Sequence, residues 1–242
     1  MSARRSLIFA AGVAWLLEHL VPFGRLLLYP FTLLATWVHE TGHGLAGLAT
    51  GGVFQKLVIY WDASGYALAG GGVGWRQAVV SLGGLWAPPV VGAFLLAFVK
   101  GPRRARLALL ALSGLMLLTL LLWVRSPAGY ISVPLTAALI AWVAWRGSGE
   151  RRVFFAQLIA VTLALDTVGR MVGYALSTTA TVGGKDQKSD VVMLADAVGG
   201  HYVLWGLVVI VVAMALLAVG LWSAWRAPRS APPTARARAS RR

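Results

Sequence analysis

Residues 26–52 read LLLYPFTLLATWVHETGHGLAGLATGG. From Leu26 to Trp37 the run is apolar apart from Thr32 and Thr36, long enough to begin a helix that lies in lipid. His39 and His43 are four residues apart, so on a helix they stand on one face, one turn above the other. That spacing lets two imidazoles share one zinc ion, with Glu40 beside them to take a proton from the water on the metal. Gly51-Gly52 closes the run as a helix stop. Ionisable groups within a membrane span are costly, so by default they mark function. The bland alternative is two interfacial histidines and a snorkelling glutamate at a helix end.

The rest of the chain has the composition such a helix needs around it. Of 242 residues, 58% are hydrophobic and 12% charged, and the mean hydropathy is +0.74. The apolar residues fall in long runs, which excludes an ordinary soluble domain. A net charge of +14 would suggest nucleic acid in a soluble protein. Here the basic residues sit between apolar runs and in the tail, where positive-inside topology accounts for them, and no nucleic-acid partner is expected. The absence of cysteine removes disulfides and thiolate metal sites. Arg4 and Arg5 precede an apolar stretch without a clean cleavage site, which reads as an anchor.

In chain order, Ser6 to Leu20 is a short apolar segment ending in Glu18-His19, either a short span or a half-embedded one. Leu26 to Ala49 is the motif helix. Val53 to Ala69 is rich in strand formers on either side of Asp62-Ala63-Ser64-Gly65, a hairpin pattern. Its free edge could hold an extended substrate by strand addition, or it could be a plain interfacial hairpin. Gln77 to Val99 is a span interrupted by Gly83-Gly84 and Pro88-Pro89, breaks expected where freed backbone groups face protein or a wet cavity. Leu107–Val124, Tyr130–Trp145 and Val153–Leu176 are further spans. Lys100, Arg103, Arg104 and Arg106 form one basic loop; Arg146, Arg151 and Arg152 form a second. Ser177 to Asp190 reads as a polar loop, and Val191 to Val198 as a short helix that Ser189 or Asp190 would cap. Asp190 and Asp196 read as capping or surface groups before ligands. Tyr202 to Trp225 is the last span, with His201 at its start in an interfacial role. Trp142, Trp145, Trp205, Trp222 and Trp225 lie near span ends, as an aromatic belt places them.

These segments predict an all-α polytopic membrane protein of six or seven transmembrane helices, with a small β-hairpin after the motif helix. Residues 1–225 form the membrane domain and 226–242, with six arginines, a disordered cytosolic tail. Both basic loops and the tail should share the cytoplasmic side. Three apparent spans nevertheless separate Arg4 and Arg5 from Lys100. Either the first segment does not cross, or the proline-broken one is re-entrant, or the N-terminus lies outside.

One more residue bears on the chemistry. Asp166 sits mid-span, where a carboxylate needs a partner. A zinc ion would be one, completing a two-His, one-carboxylate site with water in the fourth position. Arg170, four residues on, is the other, along the same helix face. The metal reading is preferred, because a buried ion pair argues little by itself.

His39-Glu40-Thr41-Gly42-His43-Gly44-Leu45-Ala46, the Gly-Gly hairpin and the distant Leu165-Asp166 together resemble the site-2 protease family of intramembrane zinc metalloproteases. The likeness spans roughly residues 25–205 and is closest to compact bacterial membrane metallopeptidase-like proteins. Those also carry an Asp-Thr-Val stretch and, further on, a Ser-Asp before a short helix. The resemblance implies His39, His43 and Asp166 as zinc ligands and Glu40 as general base, acting on membrane-protein substrates in a bacterial plasma membrane. Asp166-Thr167 stands where that family usually has Asp-Gly, and the usual upstream Asn-Pro pattern is missing. The alternative is a relative that keeps the fold but acts as a binding or regulatory partner.

Overall fold

The computed structural model describes residues 6–10, 12–13, 24–70, 72–176 and 178–226. The expectations for Arg4, Arg5, Glu18, His19 and the tail beyond Arg226 lie outside the described residues. After a helical stretch at 6–10 and 12–13 the chain runs α1 (Gly24–Ala49), β1 (Val53–Ile59), β2 (Gly65–Gly70), α2 (Trp75–Phe98), α3 (Pro102–Leu122) and α4 (Pro127–Arg146). It continues as α5 (Gly149–Leu176), β3 (Thr179–Val182), β4 (Lys185–Lys188), α6 (Asp190–Val198) and α7 (Tyr202–Trp225). Helices α2, α3, α4, α5 and α7 are each long and apolar enough to cross a membrane. The 26-residue α1 has the length, but His39, Glu40 and His43 lower its apolarity. The chain is a helical, polytopic, integral membrane protein with two small antiparallel hairpins.

Helix α1 stops as its sequence requires. Gly51 adopts φ +78, a left-handed conformation open to glycine at little steric penalty. Its amide bonds to the carbonyl of Leu48 at 3.0 Å, and that of Gly52 to the carbonyl of Gly47 at 2.9 Å. This is the Schellman pattern that satisfies the last helical carbonyls. The chain then turns into β1, which pairs with β2 from Val53↔Gly70 to Ile59↔Gly65, with a bulge between Phe54 and Lys56. The other edge of β1 is occupied: the Leu57 amide donates to the Trp123 carbonyl at 2.7 Å, and that of Arg125 to the Leu57 carbonyl at 2.9 Å. The Ile59 amide donates to Ser126 Oγ at 3.0 Å. The sheet has no third strand beyond β2 among the described residues.

Two expectations are corrected. Gly83-Gly84 and Pro88-Pro89 do not interrupt the third apolar segment; α2 runs through all four. The glycines serve close approach instead, because α1 and α2 cross in backbone contact. A Cβ at Gly42 would lie 2.3 Å from the Gly83 carbonyl oxygen, and one at Gly83 would lie 2.7 Å from the Gly42 oxygen. The residues 177–190 are also more than a polar loop. Thr179–Val182 and Lys185–Lys188 pair as a second hairpin, turning at Gly183 (φ +57) and Gly184 (φ +76), the double left-handed turn that two-residue hairpins favour.

The helix order sorts the loops into two ends. α1 and α2 run antiparallel, since Gly42 meets Ala87 while Ala46 meets Gly83. Both hairpins, α6 and the 123–126 connection lie at one end. Lys100, the α3 start and the α4–α5 connection lie at the other, where a Cβ on Gly149 would touch Pro102. Arg103, Arg104 and Arg106 stand in the first turns of α3 itself, so the expected basic loop is shorter than the sequence suggested.

A methyl at Gly83 would lie 2.4 Å from the Cβ of Ala46. Gly83→Ala is therefore expected to lower the thermal unfolding midpoint in detergent, through an overpacking penalty of about 1–3 kcal/mol. Gly114→Ala on α3, with nothing within 4 Å of the added carbon, is expected to hold or raise the midpoint. Equal midpoints for the two variants would show that the helices do not cross at Gly83.

Candidate metal centre

The histidine pair takes the positions its spacing predicts, on the face of α1 turned to α2 and α6. His39 and His43 are both buried, with their Nε2 atoms 3.1 Å apart. The third group is Asp190, at the first position of α6. Its Oδ2 lies 3.0 Å from His39 Nε2 and 3.4 Å from His43 Nε2. The other nitrogen of His43 is held: Nδ1 lies 2.8 Å from the Val80 carbonyl oxygen, which can only accept. Nδ1 therefore carries the hydrogen, and in the neutral ring Nε2 presents a lone pair to the group. Glycine makes room for that ring, since a Cβ on Gly84 would fall 2.2 Å from His43 Cε1 and Nε2.

Three atoms whose lone pairs converge at such distances repel one another unless a proton or a cation lies among them. The set His39, His43 and Asp190 can hold a metal ion, with one ligand atom from each residue, all within 4.8 Å of one another. Asp190 is also held as an anion. Burial pushes its carboxyl up; where a proton rather than a metal ion lies among the three groups, the charge of His43 and hydrogen bonds from the imidazoles outweigh this and hold it below the usual carboxylate range.

Asp166, the carboxylate that the sequence put at the third position, is not in this group. Its Oδ2 accepts from Arg170 Nε at 2.7 Å, one helical turn away. The same guanidinium donates through Nη2 to Thr36 Oγ1 at 2.9 Å. The hydroxyl of Thr36 donates on to the Ala63 carbonyl at 2.6 Å. Asp190 in turn does not act as a surface cap: Ser189 holds the N-cap position, and its side chain makes no cap bond. Asp196 is the exposed group expected, paired with Lys188 at 2.6 Å. His201 caps α7, its Nδ1 accepting from the Val203 amide at 3.4 Å. Asp190 could have been found from the Ser-Asp step before a short helix; what hid it was the unseen second hairpin that carries it back to α1.

The group opens on a cavity of about 490 Å³. Glu40 lines it beside the histidines. Ser64 to Ala69, at the open edge of β2, form one wall, and Ala180 to Val182 of β3 form another. Arg170 reaches it from α5. The hairpins touch over it: the Gly183 amide donates to Ser64 Oγ at 3.0 Å, and a Cβ on Gly183 would strike the Tyr60 ring. Ser189 Oγ, on the same cavity, is buried with no hydrogen-bond partner among the described residues.

A buried His-Glu-x-x-His helix facing a carboxylate inside a membrane bundle defines a metallopeptidase-like membrane protein. A family model, Peptidase M50B-like, matches residues 7–220, and the chain belongs to that family, which is the site-2 protease family. No curated protein and no solved structure matches the chain significantly.

Asp190→Ala is expected to weaken binding of a divalent metal by more than about 100-fold, beyond the range for losing an outer-shell partner. Asp166→Asn is expected to keep it within a few-fold. Metal content of the two purified variants after equilibration with graded free metal checks this; the opposite ranking would return Asp166 to the centre.

Proposed function

We propose that the protein is an intramembrane zinc endopeptidase that hydrolyses peptide bonds of membrane-anchored substrates in a bacterial plasma membrane. The observation carrying this reading is the triangle His39 Nε2, His43 Nε2 and Asp190 Oδ2, with edges of 3.0, 3.1 and 3.4 Å, beside Glu40 on one cavity. Tetrahedral zinc with bonds of about 2.0–2.1 Å needs ligand atoms about 3.3–3.4 Å apart. Two imidazoles and a carboxylate are also the donor set of catalytic rather than structural zinc, which keeps a fourth position open. In this reading His39, His43 and Asp190 hold the ion. The ion when bound would lower the pKa of a coordinated water toward ~7 and polarise a carbonyl.

The remaining work falls to the chain's own residues. Glu40 takes a proton from the attacking water and delivers it to the amide nitrogen as the C–N bond breaks, leaving a carboxylate and an amine. The Val80 carbonyl keeps His43 in one tautomer. The open edge of β2 binds the substrate backbone as an added strand, which is how a peptide too shielded in a helix becomes available to attack. The orphan hydroxyl of Ser189 and the guanidinium of Arg170 stand on the same cavity as donors to a substrate carbonyl.

Glu40→Gln keeps the shape of the side chain but removes the base. It is expected to retain metal while cleavage of a fluorogenic library of transmembrane peptides in micelles falls about 10²–10⁴-fold. Unchanged cleavage by that variant would exclude Glu40 as the base. Metal loading of the wild type with no peptide cleaved would favour a non-catalytic binding or regulatory role.

A further inference from the structure

We infer that the metal site and its cleft face the non-cytoplasmic side of the membrane, so that the peptide bonds within reach are those at the outer end of a substrate's span. The inference rests on the membrane-protease reading and adds an orientation to it. It comes from two independent observations, the end of the bundle at which the cleft sits and the end at which the cations sit.

The cleft is built at the hairpin end. Its walls are β2 and β3, and Asp190 arrives from α6, all in segments that join the hairpin-end termini of the long helices. On α1, His43 lies six residues from the end at Ala49 and His39 ten. At 1.5 Å per residue this places the pair about 9–15 Å below that end, in a helix about 39 Å long. The site is therefore in the half of the bundle nearest the hairpins.

The cations are at the opposite end. Lys100 follows α2, and Arg103, Arg104 and Arg106 open α3. Arg146 closes α4, and Arg151 and Arg152 begin α5. Arg226 caps α7, and the sequence beyond it adds five arginines and no acid. Glu150 is the one carboxylate in these connections. At the hairpin end Lys56, Arg76, Arg125, Arg170, Lys185 and Lys188 are interspersed with Asp62, Asp166, Asp186, Asp190 and Asp196. Excess Lys and Arg in short connections near span ends fix the cytoplasmic side, and acids contribute little to that bias. The count favours the end away from the cleft, and every long helix from α2 to α7 agrees on which end that is.

The chain lacks cysteine, so single cysteines report position without a background. Lys185→Cys lies on the exposed β4 and Ser148→Cys in the exposed α4–α5 connection. Neither residue is on the metal group. Intact cells expressing each variant are treated with a membrane-impermeant maleimide, with detergent-lysed cells as the measure of full reactivity. Labelling of Lys185→Cys in intact cells, and of Ser148→Cys only after lysis, is the expected result. Labelling of Ser148→Cys from outside, of both, or of neither until lysis would overturn it. The pattern needs no catalysis and is expected to be the same with Glu40→Gln added. A failed orientation and a failed protease reading are therefore told apart.

Discussion

The site depends on how closely α1 and α2 approach. Gly42 and Gly83 place backbone against backbone, with no room for a methyl on either side. Only at that separation does the Val80 carbonyl reach Nδ1 of His43, and only the bare Cα of Gly84 leaves space for the imidazole above it. The contact fixes which nitrogen carries the proton, and so points the Nε2 lone pair toward His39 and Asp190. Close packing through small residues is the usual way for helices to associate in lipid, where apolar surface gains nothing by leaving its solvent. Here the same packing also sets the chemistry of a side chain.

The third member of the group is delivered by a different device. Asp190 is 151 residues from His39, and nothing on α1 or α2 could place it. It begins α6 immediately after β4, and the second hairpin is anchored at its tip, where Gly183 packs on Tyr60 and bonds to Ser64. The first hairpin is in turn fixed to the bundle along the far edge of β1 by Trp123, Arg125 and Ser126. The position of the carboxylate is thus transmitted from the α3–α4 connection through two hairpins. The same arrangement leaves β2 with its outer edge on the cavity.

What was legible in the sequence was whatever is encoded locally. The His39-Glu40-x-x-His43 face, the glycine stop at Gly51, the 53–70 hairpin and the Tyr202–Trp225 helix depend on neighbours within a few residues, and each lies where the local pattern puts it. Gly83-Gly84 were visible but misread, because a glycine that loosens a helix and one that lets another helix approach look alike in one dimension. Asp166 was misread for a related reason. A mid-span carboxylate must have a partner, but which one is settled by packing, and here it is Arg170 at the next turn. The β3–β4 segment, Thr179–Val182 and Lys185–Lys188, has strands of four residues, too short for alternation to declare itself.

The Asp166–Arg170 pair still requires a reason, since even a partly buried ion pair contributes little net stability and is better attested as a device for register. Its connections indicate what it registers. Arg170 is fixed by Asp166 and donates to Thr36, one turn below Glu40 on α1. Thr36 donates to the carbonyl of Ala63, a non-glycine residue at φ +63 in the β1–β2 turn. The next residues of that turn pass directly over Glu40: a Cβ on Gly65 would lie 2.9 Å from Thr36 Cγ2 and 3.3 Å from Glu40 Cγ. One guanidinium therefore locks α5, α1 and the start of β2 together at the level of Glu40. A slip of α5 by one residue would turn Arg170 by about 100° about the helix axis and carry it away from Thr36, while Asp166, on the same helix, would turn with it. The carboxylate that resembles a ligand in the sequence instead holds the arginine that ties the β1–β2 turn to α1 at the level of Glu40.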